Sequence, residues 1–219
     1  METGDNVEIL DRLNIHTNED LYRKAFTHTS YSNEHDVESY ERLEFLGDAV
    51  LELTISDYLY NEKHLEEGTM TKMRASYVCE EACATYSREL GFEKEILLGS
   101  GESEANTTIL ADVFESFIGA MYVDQGFSYT SKFVMDIIIK YIEKKVDFLH
   151  DYKSELQELV QTVRKSVSYE IIDEKGPAHN KTFVCQVLVD NIVMGIGTGS
   201  SKKAAEQTAA KMALEKQVK

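Results

Sequence analysis

The sequence predicts an all-α domain followed by a small α+β unit of αβββα order. Up to about residue 150, apolar residues recur at spacings of three and four, the period of an amphipathic helix. Beyond that point, stretches rich in Val, Ile, Phe and Tyr alternate with period two, as half-buried strands do. A single Pro and no Trp among 219 residues leave room for long, uninterrupted helices.

In chain order, the helical period covers 7–13, 18–26, 39–60, 69–90, 109–124 and 129–148. One further amphipathic helix is expected over 151–164. Strands follow at 168–173, 181–190 and, containing glycine, 192–198. A last helix over 201–217 is expected to bury Ala205, Thr208, Ala209 and Met212 on one face. The expected domains are therefore 1–149 and 150–219.

The chain carries 39 acidic against 23 basic side chains, a net charge of -16. Taken alone, that balance speaks against a protein that grips phosphate backbones. The charge is unevenly divided, however. Residues 1–149 hold 30 acidic and 13 basic groups, a balance of −17, whereas residues 150–219 hold 9 and 10, a balance of +1. With 42% hydrophobic residues the chain has a core to bury and is no disordered acidic tail. The opening METGDNVEIL has carboxylates where an export signal has basic residues and an apolar run, and no stretch approaches the roughly 18 apolar residues of a membrane span. A cytoplasmic protein without a membrane partner is expected. Cys79 and Cys83, four apart on a helix, and Cys185 in a strand read as reduced, buried thiols.

Chemistry is concentrated in two segments. In ERLEFLGDAVLEL, Glu41, Glu44 and Asp48 stand at i, i+3 and i+7, within roughly 60° of one another on a helix. Leu43, Leu46, Val50 and Leu53 form the expected core stripe opposite. In ILADVFESFIGA, Asp112 and Glu115 stand at i and i+3 of an otherwise apolar helix. Such carboxylates can be solvated helix faces. Two features favour another reading: Gly47 and Gly119 weaken their helices and suggest close packing, and the second segment leaves little room for a wet face. Carboxylates facing one another across a helix pair suit a hard divalent cation, Mg²⁺ or Mn²⁺, which would activate water for attack at a phosphate.

These residues carry a resemblance. YERLEFLGDAVLEL resembles the signature of the ribonuclease III family, and AFTHTSYSNE, EEGTMTKMRASYV and ILADVFESFIGAMYVDQGF resemble its neighbouring blocks in the same order. DYKSELQELVQ, YEIIDEKGPAHNKTFVCQVLVD and GTGSSKKAAEQTAAKMALEK resemble a double-stranded-RNA-binding domain. The resemblance implies an endonuclease domain over 1–149 and an RNA-binding domain over 150–219. It implies Glu44, Asp48, Asp112 and Glu115 as metal ligands, with Asp48 and Glu115 central to catalysis, and Glu41 and Glu67 as additional acidic site residues. It further implies Mg²⁺-dependent cleavage of duplex RNA to 5′-phosphate and 3′-hydroxyl ends, a homodimer, no organic cofactor, and roles in rRNA and mRNA processing. Phe45 corresponds to a dimer-interface aromatic; by pattern alone an ordinary core Phe fits equally well.

In the small domain, Ser201, Lys202 and Lys203 open the last helix, where ammonium groups and free backbone N–H donors suit a phosphate. Cations at a helix N-terminus oppose its dipole and need a reason. By resemblance, Gln157, Glu158 and His179 are minor-groove contacts. His28 is assigned to a turn or helix end. One departure is the loop GSGESEANTTILAD, short and acidic where the family carries a Gly-Gly-Arg stretch. The RNA-binding domain is therefore expected to supply more of the affinity. The competing reading is a non-catalytic duplex-RNA-binding protein on the same fold; all six acidic positions being present favours the enzyme. A Ca²⁺-binding helical module lacks an EF-hand loop.

Overall fold

The computed structural model describes residues 8–13, 15, 18–102, 104–176 and 181–217. The chain divides after Leu149 into two compact units.

The first unit contains α1 (Glu8–Arg12), α2 (Glu19–Ala25), α3 (Thr29–His35), α4 (Glu41–Glu62), α5 (Glu67–Val78), α6 (Glu80–Leu90), a 3₁₀ turn (Phe92–Lys94), α7 (Thr107–Gln125) and α8 (Phe127–Glu143). Its axis is α7, which is buried almost all round between Ile109 and Met121, as a helix apolar on every face must be. Aromatic rings close on it: Phe117 has its centroid 4.8 Å from Phe92 and 5.3 Å from Tyr22. Each such ring removes about 150–250 Å² from water, which makes this cluster a main source of stability.

Three features differ from the sequence pattern. The stretch 69–90 is two helices, because Cys79 is extended (φ −72°, ψ 160°) and ends α5 while opening α6. Both helices turn apolar residues inward, so the period runs on across the break. Cys79 therefore lies at a joint and not within a helix. Helix α3 is polar and leaves no periodic trace; His28 opens it, Nδ1 accepting from the Ser30 amide at 3.2 Å. The buried face of α4 is Leu43, Gly47, Val50, Leu51, Thr54, Ile55 and Leu59, whereas Leu53 is 55% exposed and Leu46 half-buried. Gly47 faces α7, and Leu53, six residues on, lies about 120° around the helix from it.

The second unit contains α9 (Tyr152–Thr162), β1 (Val167–Lys175), β2 (Thr182–Val189), β3 (Ile192–Gly199) and α10 (Lys202–Gln217). The strands form an antiparallel sheet in the order β1-β2-β3. Asp151 caps α9 through the Ser154 amide (3.1 Å) and accepts from Gln207 Nε2 of α10 (2.8 Å), joining the two helices. Side chains at Gly195, Gly197 and Gly199 would overlap the backbone of α10, so β3 meets that helix with no layer of side chains between them. On that helix Ala205, Ala209, Ala210 and Ala213 are fully buried, while Thr208 is half-buried and Met212 is 40% exposed. Among the described residues no helix is long and apolar enough to cross a membrane.

Candidate functional site

The carboxylates owe their placement to the crossing of α4 and α7. Helix α4 begins directly after Tyr40, whose carbonyl accepts from the amides of Leu43 (2.8 Å) and Glu44 (3.0 Å). Glu41 and Glu44 thus lie in the first turn, where the helix dipole favours negative charge. Helix α7 begins at Asn106, whose Oδ1 accepts from the Ile109 amide at 2.9 Å, and this sets Asp112 and Glu115 in its second and third turns. A Cβ at Gly47 would overlap the Glu115 carbonyl, and one at Gly119 would overlap the Leu43 carbonyl. The helices therefore touch backbone to backbone, in the stretch that carries Glu44 and Asp48 on one helix and Asp112 and Glu115 on the other.

The charges of this group act on one another. Glu115 has its pKa pushed up to about 8, first by burial and then by Asp48, Asp112 and Glu44. Glu44 is raised to about 7 by burial, then by Asp112, Glu41 and Asp48. Burial also raises Asp112, against a hydrogen bond from the Tyr40 hydroxyl (3.0 Å) that favours its ionised form. On Glu115, Oε1 accepts from the Cys83 thiol at 3.8 Å. Among the described residues no Lys or Arg is paired with any of the four. Nor do three acidic, His or Cys side chains converge closely enough to grip a metal ion. Of the described basic residues His28 alone acts on the group, on Asp112. Four carboxylates whose charges, after burial, raise Glu44 and Glu115 are a donor set of the kind a hard divalent ion takes.

Glu41 belongs to this group through its effect on Glu44. Glu67 does not: it opens α5, exposed, and accepts from Thr71 at 3.1 Å, in a groove of about 320 Å³ lined also by Tyr60, Met70 and Arg74. Phe45 is 82% exposed, which rules out its reading as a core residue. It shares one side of α4 with exposed Leu53 and Tyr60. Two residues at the group escaped the sequence pattern. Tyr40 heads the YERLEFLGD motif, and that position is its one signal. Cys83 gave none.

In the second unit Ser201 caps α10, its hydroxyl accepting from the Ala204 amide at 3.1 Å. Lys202 and Lys203 follow, both exposed. Lys202 is not wholly free, since its Nζ lies 3.6 Å from Glu174, which also pairs with Lys181 at 3.1 Å. Gln157 and Glu158 are exposed on α9. His179 lies outside the described residues. In the first unit the acidic loop after Leu98 is tied down: Ser30 accepts from the Gly99 amide (2.9 Å) and Glu34 from the Ser100 amide (2.8 Å).

Fold and site together define a two-domain protein: a helical unit with a carboxylate group between apposed helices, and an αβββα unit with cations at a helix start. Residues 18–142 match the family described as ribonuclease-III-like, and residues 152–217 match the double-stranded RNA binding motif. Ribonuclease 3 of Bacillus cereus (strain G9842) is 49% identical over 210 residues, spanning 91% of this chain and 86% of that protein. Ribonuclease 3 of Geobacillus kaustophilus (strain HTA426) is 50% identical over 216 residues, spanning 90% and 85%. Among solved structures, the nuclease domain of ribonuclease III from Campylobacter jejuni, described for flexibility in a region involved in dimer formation, is similar with a TM-score of 0.58 and 30% identity, over 62% of this chain and 97% of that one. The chain belongs to the ribonuclease III family.

Proposed function

We propose that this protein is a double-strand-specific endoribonuclease that uses Mg²⁺, with Mn²⁺ as a substitute, and works as a cytoplasmic homodimer on duplexes in rRNA and mRNA precursors. The observation that carries the reading is the carboxylate group between α4 and α7, which among the described residues has no Lys or Arg paired with it, in a chain that also carries a duplex-RNA-binding motif.

Glu44, Asp48, Asp112 and Glu115 would hold the cation. When bound, a divalent ion supplies Lewis-acid polarisation of the scissile phosphate and a more acidic water, with 5′-phosphate and 3′-hydroxyl ends as products. The chain's own part is to carry the four acids on two helices whose backbones are in contact, so that bringing them onto a cation needs side-chain movement alone. Glu41, at the head of α4, raises the negative potential at Glu44. Glu67 accepts from Thr71 on its own helix and does not act on Glu44 or Glu115, so its part is assigned to the site of a second copy of the chain. The exposed side of α4 with Phe45, Leu53 and Tyr60 supports that copy as the occupant, since isolated soluble chains seldom leave such a stripe bare.

The second unit would supply the grip. Lys202 and Lys203, with the α10 start, suit a backbone phosphate, while Gln157, Glu158 and His179 are assigned to the minor groove, the face that duplex RNA presents to proteins. The test is incubation of the full chain with a long RNA duplex and Mg²⁺. Cleavage is expected, and Glu115→Gln is expected to abolish it while duplex binding persists. Binding without cleavage by the unaltered protein would leave a duplex-RNA-binding protein in place of the enzyme.

A further inference from the structure

The acids on α7 are each held from behind by a buried side chain that the proposed chemistry does not use. Tyr40 is 3% exposed, and its hydroxyl donates to Asp112 Oδ2 at 3.0 Å. The same residue's carbonyl accepts from the Glu44 amide, so Tyr40 ties one acid's helix start on α4 to another acid's carboxylate on α7. Cys83 is fully buried on α6, and its thiol, 3.6 Å from the Val78 carbonyl, also lies 3.8 Å from Glu115 Oε1, so one S–H proton is shared between two acceptors. Among the described residues the hydrogen bonds to these carboxylates fall on Asp112 Oδ2 and Glu115 Oε1, and none falls on Asp112 Oδ1 or Glu115 Oε2.

We infer that Tyr40 and Cys83 are positioning residues that orient Asp112 and Glu115 toward a divalent cation. The inference rests on the carboxylate group being the cation site. A carboxylate at the end of a side chain has free torsions, and a donor on one oxygen fixes which oxygen is presented. Removing such a partner behind a metal ligand typically costs 10–100-fold in metal affinity or activity. A phenol hydrogen bond at 3.0 Å is the stronger restraint; a thiol at 3.8 Å that also reaches the Val78 carbonyl at 3.6 Å is much the weaker. Tyr40 also keeps its ring against His28, centroids 5.7 Å apart, so replacement by Phe removes the hydroxyl and leaves the packing.

The experiment is titration of the full chain with Mn²⁺ by calorimetry in the absence of RNA, joined to cleavage measured across a range of Mg²⁺ concentrations. Tyr40→Phe is expected to weaken Mn²⁺ binding about 10-fold or more, and to move the Mg²⁺ dependence of cleavage to higher concentration by a similar factor. The KM for duplex RNA at saturating Mg²⁺ should not change. Cys83→Ala is expected to shift both in the same direction by less, and it carries the test should Tyr40→Phe fail to fold. A folded variant with the original Mn²⁺ affinity and Mg²⁺ dependence overturns the role of that residue. Failure of the underlying reading looks different: no saturable Mn²⁺ binding by the unaltered protein, or undiminished binding by Glu115→Gln, refutes the cation site itself.

Discussion

Replacing Gly47 with Ala sets two physical effects of opposite sign against each other. In a solvent-facing helix the change would stabilise by about 1 kcal/mol, because Ala loses less backbone entropy. Here the new methyl would overlap the Glu115 carbonyl and crowd the Gly119 amide, backbone atoms that cannot swing aside. To regain van der Waals distance α4 and α7 would have to part by more than about 1 Å. Overpacking of this kind costs about 1–3 kcal/mol, and α7 is the centre of the core, so the upper part of that range applies. A net loss of about 2 kcal/mol would lower the melting temperature of the helical unit by roughly 6–8 °C, at about 3–4 °C per kcal/mol for a unit of this size. Urea and thermal unfolding of the full chain, followed by far-ultraviolet circular dichroism, measure it. Cleavage should fall more steeply than stability, by about 100-fold, because the same displacement separates Glu44 and Asp48 from Asp112 and Glu115. A Gly47→Ala protein that is more stable and cuts normally would refute the claim that backbone contact at this glycine assembles the group.

Without divalent cation, Glu115→Gln is expected to stabilise the protein. A carboxyl whose folded pKa is about 8 favours its protonated form in the folded state, so the native chain loses stability as pH rises from the unfolded carboxylate range, about 4.3, toward 8. Gln removes that slope, for a gain on the order of 5 kcal/mol at pH 8, each pKa unit being worth about 1.4 kcal/mol; metal-free melting temperatures that change with pH in parallel for both proteins would contradict it. Asp151 behaves oppositely. Its pKa is held down at about 2 by hydrogen bonds from Ser154 and Gln207, so its contribution is complete above about pH 4 and disappears as pH falls through 2. Asp151→Ala should cost about 0.5–2 kcal/mol as a lost helix cap, and a protein unchanged in acid titration followed by circular dichroism would remove the cap from the account. Replacing Lys202 and Lys203 with Ala should weaken duplex RNA binding and flatten its salt dependence, and because Glu174 pairs with Lys202 the larger share is expected from Lys203. Filter-binding titrations at several salt concentrations decide this, an unchanged slope counting against a phosphate contact at the start of α10.

What the sequence determined by itself was the change from an all-α part to an αβββα part and the helical faces on which the acids of α4 and α7 lie. The apolar period fixes helices because one face of each must leave water, and it changes to period two where the sheet begins. Gly47 and Gly119 already signalled close packing in the sequence, since a glycine inside a helix is unfavourable unless a neighbour needs the space. Where local pattern and tertiary contact part, the tertiary contact decided. The break at Cys79 is invisible to periodicity because α5 and α6 face the same core. Leu53 and Met212 look like core residues and are exposed, since the buried face is chosen by where the partner backbone comes closest, at Gly47 and along the glycines of β3. Tyr40 and Cys83 came to the acid group in the same way. A hydrogen bond between residues 72 positions apart, as between Tyr40 and Asp112, leaves no local periodicity in either segment. The acids were legible because their charge is written in the residue type, whereas the donors that orient them depend on which side chains the packed core places behind them.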